Sequence, residues 1–110
     1  MITDDDVDKA VEYLRTNARA AAQAKANRIY LEEYRKVVKA QIQRENDNLA
    51  LGTQEAIAYA DARYKQHLDV LKEAIEKDEY NRWMMTAAEA KIEAWRTQQA
   101  NQRAEAKAYS

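Results

Sequence analysis

The chain has 110 residues and a formal net charge of −1, which limits it to one domain and argues against a strongly basic nucleic-acid binder. It contains no proline, no cysteine and one glycine, so it lacks the turn residues of β-proteins, disulfides and thiolate metal ligands. Although 46% of the residues are hydrophobic, phenylalanine is absent and many are alanine, whose methyl group buries little area. The composition therefore predicts helices held by a thin apolar seam.

A first helix is predicted over about residues 4–45. Thr3 or Asp4 can cap free backbone N–H groups at its start, and the following aspartates favour the positive end of the helix dipole. The early apolar positions repeat every 3 or 4 residues, which is typical of a coiled coil: Val7, Val11, Leu14, Ala18 and Ala21. The heptad then meets Lys25 and Arg28, and the apolar face shifts to Ala22, Ala26, Ile29 and Tyr30 and continues through Tyr34, Val37, Val38 and Ile42. This shift predicts a break in register or a change of packing partner near residue 25.

A loop is predicted over about residues 46–53, where Asn46, Asp47 and Asn48 compete with helical hydrogen bonding. Gly52 can adopt positive φ there, and Thr53 can cap the next helix.

The second helix is predicted over about residues 54–104. Asp61 can act as a further cap and so produce a kink or a short helix near 53–61. The predicted apolar line comprises Ile57, Ala60, Tyr64, Leu68, Leu71, Ile75, Trp83 or Met84, Ala88, Ile92 and Trp95. Residues 105–110 offer little to bury and are expected to fray.

Together these elements predict an all-α fold, a long two-helix hairpin that forms a single helical domain over residues 1–110. Residues 9–46 carry nine basic side chains against four acidic ones, whereas residues 47–81 carry four against eight. Opposite charges favour antiparallel pairing or self-association. Pairing the two helices along residues 7–21 and 37–42 of the first and 57–75 and 84–95 of the second leaves several rings off the paired line: Tyr13, Tyr30, Tyr59, Tyr80 and Trp83. We therefore expect a homo-oligomeric helical bundle, with a dimer favoured, or burial against another protein partner.

Residues for catalysis are scarce. Ser110 is the sole serine, and the sole histidine, His67, has no nucleophile beside it on a helical face. A carboxylate metal site would need glutamate three residues before His67, where Tyr64 stands; Glu73 and Glu76 have no histidine at the needed spacing. We expect a non-enzymatic protein without cofactor or metal, with His67 and these acids on a solvated face.

Nucleic-acid binding is the alternative that the second helix supports. Aromatic rings interleaved with cations can stack bases and neutralise phosphates. The candidate nucleic-acid or partner surface comprises Arg82, Trp83, Lys91, Arg96, Arg103 and Lys107. However, Glu89, Glu93 and Glu105 dilute its positive charge, and ring stripes on helices are more often core than base platforms. Trp95, in line with Ile92, is expected to be structural.

No run of about 18 apolar residues is present, and the acidic start MITDDDVD is unlike a secretory signal. We expect no membrane association and a cytoplasmic protein, in a reducing compartment.

Several stretches resemble a group of small, uncharacterised all-helical proteins of bacteriophages and prophages. They are RIYLEEYRKVVKA at 28–40, AYAD at 58–61, HLDVLKEAIEKDE at 67–79 and RWMMTAAEAKIEAWRTQQANQRA at 82–104. The resemblance implies a phage gene product, in the host cytoplasm, and no particular site residue. The favoured function is a phage-derived, homo-oligomeric adaptor or modulator. The alternative is an accessory single-stranded DNA-binding factor in phage recombination or replication.

Overall fold

The structure, a computed structural model, describes residues 1–109 and contains three helices: α1 (Asp4–Glu45), α2 (Leu51–Ala60) and α3 (Ala62–Tyr109). No strand occurs among these residues. The predicted all-α fold is confirmed. Helix α3 continues to Tyr109, beyond the expected end near residue 104, and the last residue of the tail expected to fray, Ser110, lies outside the described residues.

Helix α1 has the bounds expected from the sequence, and Thr3 rather than Asp4 caps it. The backbone N–H of Asp6 donates to Thr3 Oγ1 over 3.1 Å, and the Thr3 N–H donates to Asp6 Oδ2 over 2.9 Å. This reciprocal pair is a capping box that satisfies two N–H groups at the helix start. The hydrogen bond from the Thr3 N–H to the carboxylate is the main cause that lowers the pKa of Asp6.

The connection between α1 and α2 is shorter than the loop expected over 46–53. Helix α2 begins at Leu51, after Ala50 in an extended conformation, and no side chain caps its first turn. Gly52 and Thr53 therefore lie inside the helix, and Gly52 does not adopt positive φ. The side-chain amide of Gln54 instead donates to the Leu49 carbonyl over 2.8 Å, which fixes the chain as it enters α2.

A break at Asp61 separates α2 from α3, which confirms the short helix predicted near 53–61. Asp61 is extended, with φ −69° and ψ 138°, and its Oδ1 accepts a hydrogen bond from the Arg63 N–H over 2.8 Å. Asp61 thus ends one helix and caps the next. The Arg63 guanidinium donates to both oxygens of Glu45, over 2.8 and 2.6 Å, and ties the break to the end of α1.

The described chain forms two compact units. Unit 1 combines residues up to Ala21 with the chain from Tyr80 onwards, and unit 2 runs from Ala22 to Glu79. Within unit 1, the Gln98 side-chain amide donates to the Ile2 carbonyl over 2.8 Å, while Ala10 lines a groove with Ala88. Within unit 2, Arg28 bonds Asp78 while Glu45 bonds Arg63. In each unit, α1 and α3 therefore run antiparallel.

The inner face of α1 agrees with the predicted stripe at positions such as Val7, Leu14, Val38 and Ile42 and differs from it at others. Val11 is 49% exposed, Ile29 43% and Tyr30 62%. The buried and half-buried positions of this face repeat every 3 or 4 residues, as Val7, Ala10, Leu14, Asn17 and Ala21 in unit 1 and Ala24, Arg28, Leu31, Tyr34, Val38 and Ile42 in unit 2. The predicted register break near residue 25 is wrong, because the inner face passes through the polar residues Asn17 and Arg28.

Helix α3 shows the same spacing. Its inner face comprises Tyr64, His67, Leu71, Ala74 and Asp78 in unit 2 and Asn81, Met85, Ala88, Ile92, Trp95 and Gln99 in unit 1. Trp83 and Met84, assigned to this line from the sequence, are 62% and 38% exposed, and Met85 takes their place. Here too polar residues, Asp78 and Asn81, occupy inner-face positions at which the apolar pattern of the sequence is interrupted.

The buried core is thin, as the composition indicates. Most of its hydrophobic members are alanines: Ala10, Ala24, Ala58, Ala74 and Ala88, beside Ile42, Tyr64 and Leu71. Among the described residues, Ile42 is the one large side chain that is fully buried, in a cluster with Ala58 and Tyr64. Helix α2 therefore covers the end of unit 2, where the largest apolar side chains are enclosed.

Candidate functional site

A buried ion pair crosses between α1 and α3 in unit 2. Arg28 Nε donates to Asp78 Oδ2 over 2.5 Å, and Arg28 Nη1 donates to Glu32 Oε1 over 2.8 Å. Asp78 is 8% exposed, and the bond to it is the main cause that raises the pKa of Arg28. A buried charge is tolerated when it is paired and hydrogen-bonded, so this pair is structural.

His67 is half-buried on the inner face of α3, contrary to the solvated position expected for it. Its Nε2 lies 2.7 Å from the Leu31 carbonyl oxygen, and its ring is 5.8 Å from that of Tyr34. Because a carbonyl only accepts, Nε2 must carry the proton in this contact. His67 thus joins α3 to α1, while Glu73 and Glu76 are exposed.

A polar cavity of about 270 Å³ lies between α1 and the α2–α3 break in unit 2. Its lining comprises Arg35, Lys36, Lys39, Tyr59 and Tyr64, and we call it the basic cavity. Lys39 Nζ donates to the Tyr59 hydroxyl over 2.8 Å and lies 4.6 Å from the centre of that ring. The bond to Tyr59 is the main cause that raises the pKa of Lys39.

An apolar groove of about 290 Å³ lies on unit 2, lined by Val38, Gln41, Ile42, Arg63, Gln66, His67 and Val70. Val70 is 46% exposed at its edge. A smaller groove of about 220 Å³ on unit 1 is lined by Lys9, Ala10, Tyr13, Met84, Ala87, Ala88 and Lys91. Both grooves are open rather than enclosed, which suits the side chains of another helix better than a small substrate.

The surface proposed from the sequence, residues 82–107, lies along α3. The Arg82 guanidinium lies 5.6 Å from the exposed Trp83 ring, and Arg96 pairs with Glu93 over 3.3 Å. Lys91 lines the unit 1 groove, and Arg103 and Lys107 are exposed further along α3.

Trp95 lies apart from this surface on the inner face of α3. It is half-buried, and its indole N–H donates to Asp4 Oδ1 over 3.0 Å. That bond ties the start of α1 to α3, so the structural role expected for the ring agrees with its position.

The basic cavity was missed from the sequence. Lys39 is four residues after Arg35 and three after Lys36, the spacings at which side chains on a helix are neighbours, within the basic stretch 9–46. This spacing of the three cations could have been recognised from the sequence. Tyr59 lies beside these cations because the chain reverses direction between α1 and α2. The composition does not predict the length of the segment that connects the two helices.

No cluster of three or more histidine or acidic side chains in residues 1–109 is arranged to hold a metal ion. The helices in the described part of the chain also lack any stretch long and apolar enough to cross a bilayer.

Comparison with protein-family models, with curated proteins and with solved structures finds no match to this chain. The function must therefore be argued from its own geometry.

Proposed function

We propose that this protein is a non-enzymatic, homo-oligomeric helical adaptor or modulator whose exposed apolar side chains pack against a second copy. One observation carries the proposal. Large aromatic side chains stay exposed on each unit, among them Tyr30 at 62% on unit 2 and Trp83 at 62% on unit 1. Exposed apolar surface of this kind marks interaction sites in soluble proteins.

Exposed rings on α3 support this proposal in unit 1. Tyr80 is 63% exposed and Trp83 62%, and Met84 beside them is 38% exposed. Aromatic side chains and methionine are enriched in protein interfaces, where a well-packed ring dominates the binding energy. We assign the face formed by Tyr80, Trp83 and Met84 to the interface.

Unit 2 offers a second set of apolar side chains. Tyr30 stacks on Tyr34 with ring centres 5.7 Å apart and remains 62% exposed. Val37 and Val70 are 42% and 46% exposed, and Val70 borders the apolar groove. The 3 and 4 spacing of the inner faces is that of a coiled coil, so a second helix pair packed on these flanks makes a four-helix bundle.

The cellular setting belongs to the same proposal. The absence of cysteine supports a reducing compartment, and hence the cytoplasm. The resemblance of residues 28–40, 58–61, 67–79 and 82–104 to bacteriophage and prophage proteins supports a phage origin.

The double variant Tyr80→Ser/Trp83→Ser tests the assigned face. Both side chains are more than 60% exposed, so the helices should keep their circular dichroism while the oligomer dissociates. The matched control is Leu51→Ser/Tyr109→Ser, which removes two apolar side chains that are 68% and 92% exposed away from that face. Multi-angle light scattering should give the 12.7 kDa chain mass for the first variant at concentrations where the control is still assembled. Equal assembly of both variants would show that this face is not the interface.

A further inference from the structure

We infer that the basic cavity binds the phosphate groups of single-stranded nucleic acid. This goes beyond the proposed self-association and uses different side chains. The cavity brings together three cations of α1 with Tyr59 of α2 and Tyr64 of α3, and no carboxylate is among its lining residues. Arginine and lysine have only donors, and tyrosine hydroxyls can add two more. Such a set is complementary to an oxyanion.

Tyr64 has a mostly buried side chain whose hydroxyl is left without a protein partner. Its side chain is 9% exposed, and its hydroxyl forms no hydrogen bond with any residue of 1–109. Every fully buried polar side-chain atom in that range does have a hydrogen-bond partner. The hydroxyl therefore reaches solvent, and the open space that Tyr64 lines is the basic cavity. A buried ring with a hydroxyl left open in this way can donate to a ligand oxygen.

Lys39 is already held in place for a ligand. Its side chain is only 25% exposed, and its ammonium group lies 2.8 Å from the Tyr59 hydroxyl and 3.5 Å from Glu55. An ammonium group has three N–H donors, so one is left for a ligand. Because the side chain is fixed before binding, the entropy lost on binding is smaller.

The other two cations are available at the surface. Arg35 forms no hydrogen bond or ion pair with residues 1–109, and Lys36 pairs only with Glu33, over 3.2 Å. The Lys36 and Glu33 side chains are 71% and 69% exposed. A pair so exposed contributes little, so a phosphate can displace the carboxylate.

Size and the Tyr59 ring favour a nucleic-acid strand over a free small molecule. The volume of about 270 Å³ is below the roughly 300–1,000 Å³ of pockets that enclose a whole small ligand. Tyr59 is 54% exposed beside the cations, and an exposed ring next to cations can stack a base while the cations hold the backbone. Single strands suit this arrangement because their bases are free to stack on protein rings.

The test is a fluorescence-anisotropy titration of the whole protein with a labelled oligothymidine of about 15 nucleotides, at about 50 and 200 mM salt. We expect salt-sensitive binding by the unaltered protein. Arg35→Gln/Lys36→Gln should weaken it by about tenfold or more and lower the salt dependence. The matched control Arg19→Gln/Lys25→Gln removes the same charge from exposed positions of α1 outside the cavity, and should weaken binding by less than about threefold.

Tyr64→Phe removes only the unpaired hydroxyl. It should weaken binding several-fold while leaving the thermal unfolding midpoint unchanged, which separates a ligand contact from a packing role. Absence of binding by the unaltered protein, or equal weakening by both charge variants, would overturn the inference. So would binding of inorganic phosphate or thymidine monophosphate without binding of the strand.

Discussion

Two polar residues on the inner faces, Arg28 and Asp78, explain why apolar patterns alone misread this chain. Hydrophobic residues alone indicate a register break near residue 25, whereas Arg28 continues the inner face of α1 there. The pair is satisfied across the two helices, over 2.5 Å. A charged residue within the apolar repeat of α1 therefore pairs with a residue of α3 here. The periodicity of one helix could not identify Asp78 as that residue.

Asp78→Ala should destabilise the protein, because it leaves the Arg28 guanidinium half-buried without its main partner. We expect the thermal unfolding midpoint to fall by about 5 °C or more. The double variant Arg28→Leu/Asp78→Leu replaces the pair with apolar side chains and should recover most of that loss. Thermal melts at one protein concentration give both values. If Asp78→Ala melted like the unaltered protein, the pair would have no structural role.

At the scale of the elements, helix type and the Asp61 break were predictable, whereas the first residue of α2 was not. The absence of proline and the high content of helix-forming residues explain why the chain is helical. Asp61 was identifiable because a short acidic side chain can cap a helix start. The start of α2 was misjudged because Gly52 and Thr53 carry strong turn and cap preferences, and the hydrogen bond from Gln54 to Leu49 overrides them.

The junction of the three helices should be sensitive to acid. Hydrogen bonds from Arg63 hold the pKa values of Glu45 and Asp61 below their ordinary values of 4.5 and 3.8. A lowered pKa in the folded state stabilises the protein above the ordinary pKa, and that contribution is lost as pH falls through the folded value. The thermal midpoint should therefore decrease as pH is lowered below about 4.5.

Glu45→Gln/Asp61→Asn should remove this part of the pH dependence, with a smaller loss of midpoint between neutral and acidic buffer than in the unaltered protein. Glu73→Gln/Glu76→Gln is the matched control, because it neutralises two exposed acids that form no ion pair within residues 1–109. Identical pH profiles for the two double variants would contradict the role of Arg63 at this junction.

For the whole molecule, the sequence predicted the thin core correctly but could not predict the basic cavity. A thin core follows from alanine content, which is a property of composition. The cavity requires Tyr59 to meet Lys39, twenty positions earlier, and that contact depends on where α1 ends and α2 begins. Residues 82–107 were proposed from adjacency in sequence, and the structure brings a further set of cations and rings together in unit 2.

The central claim, that one chain leaves apolar surface for a second copy, is tested most directly by sedimentation equilibrium over a wide concentration range. The account predicts a folded species at twice the 12.7 kDa chain mass or above at micromolar concentration, with dissociation on dilution by mass action. A folded species that remains at 12.7 kDa throughout the micromolar range would contradict it.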